Sequence, residues 1–230
     1  MNEAGLMAHV LGLSLSQGTE EYLWGRGATD ESIARLGLKT WEPLPSEPEI
    51  PGWRYKRGED FRGWLTTPLY SPAGTFLGFD LRCLEKKEFQ RVFLRPTKWC
   101  PVFIGHSSFP IIWNGGDVYI CEGLFDLFAL EWGVPPGSAI LATGPARLTK
   151  AQVDFLIRFL KGTAKLCFDN DATGLRASSG WVDDGGKHHS GALQNLSRAG
   201  IPVYNVHYRA KDPGKVWEDE GAAGCRAAFS

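Results

Sequence analysis

The chain has 230 residues, 43% hydrophobic and 22% charged, with a formal net charge of −1 at neutral pH. This composition excludes disorder and fibre, gives length for one large domain or two small ones, and argues against a nucleic-acid binder held by bulk charge alone. Its apolar runs are of strand length and are broken by Gly, Pro or charge, so no membrane span is expected.

At the start, MNEAGLMAHVLGLSLSQG has a short apolar core behind an acidic residue and lacks the basic segment of a secretory signal. It reads as an amphipathic helix, and a cytoplasmic location is expected. The next helical patch is TDESIARLGL, capped by Thr29 or Asp30 and ended at Leu36–Gly37. GWLTTPLYSPAGTFLGFDLRCL follows as two strands joined by the turn SPAG, since Pro second and Gly fourth suit a type I turn.

From Gly115 the texture changes. DVYICEG reads as a buried strand, LFDLFALEWG as a helix, SAILATG as a strand and TKAQVDFLIRFLKG as a helix. AKLCFDND is then a strand, TGLRAS the start of a helix, and IPVYNVHY a last strand. Such alternation predicts an α/β domain, a mostly parallel sheet flanked by helices, preceded by a smaller mixed α+β subdomain. We place the division at 1–113 and 114–230.

Five scattered cysteines, Cys83, Cys100, Cys121, Cys167 and Cys225, form no C-x-x-C pair. Neither a disulfide framework nor a structural zinc is expected, and Cys121 and Cys167 read as small core residues. Charge is unevenly spread: residues 52–100 carry ten basic and five acidic side chains, against three and eight in residues 1–51. In that middle segment Trp, Tyr and Phe alternate with Arg and Lys, which suits phosphate contacts beside base stacking by Trp64 or Trp99; the alternative is an ordinary solvated face with core rings.

In a parallel sheet the chemistry sits beyond the carboxyl ends of the strands. Acids gather there. Glu122 follows VYIC, Asp126 lies four residues on and on the same helix face, Asp169 and Asp171 follow KLCF, and Asp212 follows the last strand. Carboxylates clustered on adjacent strand ends repel one another unless a hard divalent cation joins them.

These residues carry a resemblance. VYICEGLFDLFAL, AILATGPARLTKAQVDFL, KLCFDNDATGLRAS and YRAKDPGKVWEDEG resemble the Toprim segment of primases and topoisomerases: a glutamate after one strand, D-x-D-x-x-G after a later one, and K-D-P. Upstream, EYLWGRGATDESIARLGL and YSPAGTFLGFDLR resemble the Y-L-x-x-R-G helix and G-x-x-x-G-F-x-x-R hairpin of DnaG-like primase cores. The resemblance spans roughly residues 20–221. It implies template-directed synthesis of short RNA primers from NTPs on single-stranded DNA, by nucleotidyl transfer with two or more Mg²⁺ or Mn²⁺ ions. It also implies roles: Asp169, Asp171 and Asp212 as principal metal ligands, Glu122 as ligand or proton acceptor, and Asp126 in support. Arg26 and Arg82, with Arg91 and Lys98, would contact template or triphosphate.

The pattern departs from that family at RVFLRPTKWCPVFIG and at the polar insertion GWVDDGGKHHSG. His188 and His189 in the insertion are adjacent, and adjacent side chains diverge, so a solvated loop is expected in place of a metal site. The family's zinc ribbon and helicase-binding region find no match in this sequence; a separate zinc-ribbon domain or a replicative helicase is the expected partner. Two rivals remain. A Toprim nuclease or topoisomerase would bring an ATPase loop or a second domain with a tyrosine nucleophile, and no G-x-x-x-x-G-K-[ST] occurs. A catalytically weak regulator that binds single-stranded DNA or a replication protein would gain nothing from the repelling acids.

Overall fold

The computed structural model describes residues 1–50, 53, 59–86, 88–94, 100–145 and 147–230. Lys98 and Trp99 lie outside the described residues. The N-terminal helices are α1 (Glu3–Gly12), α2 (Gln17–Gly25) and α3 (Asp30–Leu36), and side-chain caps start each one. Thr29, not Asp30, caps α3: its hydroxyl accepts from the Ser32 N–H while the Ser32 hydroxyl accepts from the Thr29 N–H. That reciprocal pairing satisfies two amide donors that a helix start leaves free.

Strands β1 (Lys39–Thr40), β2 (Leu65–Tyr70), β3 (Phe76–Arg82) and β4 (Phe89–Phe93) form an antiparallel sheet in that order. The β2–β3 hairpin turns at the expected SPAG, with the Gly74 N–H donating to the Ser71 carbonyl. Against this sheet Trp41 stacks on Phe79 at 5.3 Å, and Trp53 and Phe61 pack edge-on around them. Trp64 joins this core at 5.0 Å from Phe61. Trp64, one of the two rings read as base stackers in the sequence, is here a packing residue, because a small sheet must bury large side chains to stand.

After α4 (Phe109–Trp113) comes the predicted alternation: β5 (Val118–Cys121), α5 (Leu124–Glu131), β6 (Ala139–Ala142), α6 (Lys150–Phe159), β7 (Ala164–Leu166) and α7 (Ala172–Ser179). Then come β8 (Trp181–Val182), β9 (His188–His189), α8 (Ala192–Arg198), β10 (Val203–Asn205) and α9 (Pro213–Phe229). The second sheet has the order β10-β7-β5-β6 and is parallel throughout. Its central strand β5 is buried along its whole length, as a strand covered on both faces requires. Helices α8 and α9 were not anticipated; Ala, Gly and polar residues blur their hydrophobic period.

The two sheets are tied by one short segment. Phe103 bridges to Tyr70 of the first sheet and Ile104 to Ala142 of the second. One hydrophobic core runs across both halves, with Leu65, Leu69 and Leu77 packed in the same cluster as Tyr119, Leu127 and Phe128.

The insertion differs from the expected loop. β8 and β9 pair antiparallel, Trp181 opposite His189, and Asp183 closes the turn by accepting from the Gly185 and Lys187 N–H groups. A turn that satisfies its own amides holds even this short hairpin.

Candidate active site

The ends of β5, β7 and β10 and the starts of α5, α7 and α9 bring the predicted acids together. Glu122 leaves β5, and its Oε1 accepts from the Asp169 N–H, 3.2 Å away, just beyond β7. Asp126, one turn into α5, accepts from the Gly123 N–H at 3.0 Å and from the Gly214 N–H at 3.2 Å. It therefore ties α5 to the start of α9. Asp212 caps α9, accepting from the Lys215 N–H at 2.7 Å. Asp171 caps α7, with one oxygen accepting from the Thr173 and Gly174 N–H groups at 2.9 and 3.0 Å.

The two aspartates of D-x-D live in different fields. Burial, then the Asp212 charge, raises the affinity of Asp169 for its proton. The Gly174 and Thr173 amides hold Asp171 below the usual carboxylate range. Glu122 is pushed up to about 7 by burial and by Asp169, and Asp126 to about 7 by burial and by Asp169 and Asp212. Lys211 answers part of this negative field: its Nζ lies 3.8 Å from Asp169 Oδ2 and 3.9 Å from Asp212 Oδ2. Among the described residues, no three His, Cys, Asp or Glu side chains converge closely enough to hold an ion as they are placed. The carboxylates therefore form an electrostatic cluster with oxygen donors only, in which burial and then neighbouring charge raise the proton affinity of Glu122, Asp126 and Asp169. That donor chemistry suits Mg²⁺ or Mn²⁺. His188 and His189 take no part: His189 Nε2 pairs with Asp183 at 2.8 Å.

Two residues that the sequence reading passed over hold the loops in register. Asn170, between the aspartates, donates from Nδ2 to the Tyr208 and Ala210 carbonyls at 2.8 and 2.7 Å, and Tyr208 donates to the Phe168 carbonyl at 2.6 Å. An Asn flanked by two functional acids was the available signal, since its amide supplies two donors where the loops need them. Gly174 has a steric reason. A Cβ there would stand 2.1 Å from the Asp169 carbonyl oxygen, so only glycine lets α7 begin against the loop.

The basic residues divide. Arg26 pairs with Glu218 and stands 4.9 Å from the Phe125 ring centroid; Arg82 stands at the same 4.9 Å. One ring on α5, between Glu122 and Asp126, thus positions two guanidiniums from distant segments beside the acids. Arg26 itself sits in a fixed turn: Trp132 and Trp217, stacked at 5.3 Å, donate to the Gly27 and Gly25 carbonyls. Gly27 has φ +88° and a Cβ on it would meet the Trp217 ring at 2.8 Å. Arg91 is otherwise engaged, in a bidentate pair with buried Asp80 at 2.5 Å for each bond. Between the sheets, a cavity of about 170 Å³ lined by Asp80, Arg82, Gly123 and Gly144 opens beside Glu122's strand end.

Parallel strands that present acids at one edge, with a D-x-D-x-x-G turn whose glycine is sterically required, match a known family over residues 119–215. Those residues form a Toprim-like domain. Across its N-terminal half too, the chain has the fold of the DnaG-type primase catalytic core. It superposes on the zinc-binding and RNA polymerase domains of Aquifex aeolicus primase with a TM-score of 0.65 at 19% identity, covering 93% of this chain and 55% of that one. A DnaG primase catalytic domain bound to single-stranded DNA gives 0.66 at 18% identity, with 95% and 73% covered. In sequence, 200 residues are 26% identical to the DNA primase of Thermotoga maritima, 76% of this chain and 34% of that protein. The chain thus spans about a third of the length of that relative. Within the Toprim-like domain lie all five predicted acids, Glu122, Asp126, Asp169, Asp171 and Asp212.

Proposed function

We propose that the chain is a primase catalytic core that joins ribonucleotides on a single-stranded DNA template. The observation that carries this reading is the juxtaposition of the carboxylate cluster with Arg26 and Arg82 at Phe125: acids for cations and guanidiniums for phosphates, beside one another at the start of α5. Glu122, Asp169, Asp171 and Asp212 would hold the divalent ions, with Asp126 bracing the loops behind them. Bound there, such ions lower the pKa of the attacking 3′-hydroxyl and neutralise charge on the triphosphate and the leaving pyrophosphate.

The chain's own residues do the rest. Glu122 stands at the end of β5 against the Asp169 N–H, where it would serve as ligand or as proton acceptor for the hydroxyl. Asp171 stays ionised at neutral pH and keeps a fixed negative charge at the start of α7. Asn170 keeps Asp169 and Asp171 in register with Asp212. Arg26 and Arg82 would grip phosphate oxygens, and Lys211 answers part of the acidic field. Arg91 supports the sheet that carries Arg82, and contact with template is left to segments such as that around Lys98.

The test is templated primer synthesis on single-stranded DNA with Mg²⁺ or Mn²⁺, by the chain alone and with a primase zinc-ribbon domain or a replicative helicase added. Metal-dependent incorporation that is lost in Asp169→Asn is the expected result. Incorporation by Asp169→Asn at the parent's rate removes the assignment; single-stranded DNA binding with no incorporation under any of these conditions favours the regulator.

A further inference from the structure

The insertion after α7 builds a second feature, away from the carboxylates. The Trp181 ring lies flat on His189, centroids 4.5 Å apart and planes 9° apart. Asp183 fixes the pair by bonding His189 Nε2 while its other oxygen closes the hairpin turn. This rigid aromatic wall borders a cleft of about 400 Å³, whose remaining walls come from the start of α6, from α7 and from α8. Arg147, Lys150, Arg176 and Asn195 line it.

The charge of that cleft is positive and largely unanswered. Lys150 is held by Asp154 at 2.7 Å and His189 by Asp183, so their charges are compensated locally. Arg147 and Arg176 are exposed, and among the described residues neither has an acid within ion-pair distance. No carboxylate is among the lining residues. Two free guanidiniums match the oxygens of phosphate groups, and the neighbouring flat ring pair offers a stacking edge to a base. The cleft also lies along the right element. Asp171 caps α7 and Arg176 is five residues further on, about 7.5 Å along the helix axis. A lone strand, whose phosphates stand farther apart than the roughly 3.4 Å axial rise of a duplex strand, covers that distance within about one or two nucleotides.

We propose that this cleft binds the backbone of a single nucleic-acid strand about one or two nucleotides from the carboxylates, with Arg147 and Arg176 on its phosphates and Trp181 beside a base. The strand's course from the acids rests on the catalytic reading above; the cleft's affinity for strand phosphate does not.

The experiment is a fluorescence-anisotropy titration of labelled oligothymidylate or oligouridylate, about 12 nucleotides long, at several salt concentrations in chelator. Arg147→Ala and Arg176→Ala are each expected to weaken binding and to flatten the salt dependence by about 0.7 in log–log slope, and the double variant by about 1.4. Trp181→Leu should weaken binding with the slope unchanged. A double variant that melts like the parent and binds with the parent's affinity and slope overturns the proposal. ATP supplies the second arm: if it binds the parent and not the double variant while the oligonucleotide binds both equally, the cleft serves free nucleotide and the strand assignment falls. Since no turnover is needed, a chain that synthesises no primer yet shows the predicted slopes sinks only the catalytic reading. A chain that synthesises primer with unchanged slopes sinks only the cleft.

Discussion

The acidic edge of the parallel sheet and the basic face of the antiparallel sheet handle charge in opposite ways. At the acidic edge, burial and then neighbouring carboxylates raise the proton affinity of Glu122, Asp126 and Asp169, and Lys211 stays beyond 3.5 Å from both carboxylates it faces. On the antiparallel sheet, Arg91 meets buried Asp80 through two short bonds and lies against the Phe89 and Phe93 rings. An uncompensated cluster is costly unless a ligand completes it, so it marks function; a compensated pair is a structural tie. The same contrast separates the two aspartates of D-x-D, one strained by its neighbours and the other satisfied by amides.

The sharpest way to break this comparison is to remove one acid. Asp169→Ala should cut metal-dependent incorporation by roughly a thousandfold or more, since several kcal/mol of charge stabilisation are lost. Its melting temperature in chelator should hold or rise, because a repelled, half-buried charge has gone. Asp171→Ala should lose activity similarly but lower stability by about 1 kcal/mol, since it removes the cap of α7. Equal melting shifts for the two variants would erase the distinction drawn between them.

On the compensated side, Arg91→Ala leaves Asp80 buried without its partner and should cost about 3–5 kcal/mol in a denaturant titration. A loss below 1 kcal/mol would show that Arg91 is free for phosphate after all.

Proton linkage sharpens the contrast further. Glu122 and Asp126 have folded pKa values of about 7 against ordinary carboxylate values in the unfolded chain, so the folded state binds more protons between pH 4 and 7. Stability in chelator should therefore fall as pH rises through that window, by roughly a few kcal/mol at most because the groups titrate together. Glu122→Gln should flatten the decline, and Mn²⁺ should reverse it. Thermal melts from pH 4 to 8 decide the matter; a stability that rises across this range in chelator would contradict the cluster's repulsion.

The smallest effect is expected at Phe125. Replacing it with Leu keeps the apolar bulk but removes the ring that positions Arg26 and Arg82, worth about 0.5–1 kcal/mol for each guanidinium. The KM for nucleotide should rise by roughly tenfold with little change in melting temperature. An unchanged KM would detach the two arginines from nucleotide binding.

Much of the site was readable in advance because it is local. Glu122, Asp169 and Asp171 each follow an apolar run directly, and in a parallel sheet the end of a strand is the edge where ligands bind. The hairpin at SPAG and the cap at Thr29 were legible for the same reason, since turn and cap chemistry is decided within four residues. Other features had no local signature. Trp64 could stack on a base or fill a core, and only the neighbouring Phe61, Trp41 and Phe79 decided for the core. GWVDDGGKHHSG read as a loop because a two-residue strand leaves almost no period to detect.

By itself, then, the sequence determined the alternation of strands and helices, the acids at the strand ends and the glycine that lets α7 start against Asp169. Those follow from side-chain period and backbone sterics, which act over a few residues. Tertiary structure alone decided which charges stay unanswered: that Arg91 is consumed by Asp80, that Arg26 and Arg82 share the Phe125 ring, and that Asn170 binds Tyr208 and Ala210 across the loop. Coulombic and hydrogen-bond partners are chosen by distance in space, and residues far apart in the chain acquire that distance only when the core closes.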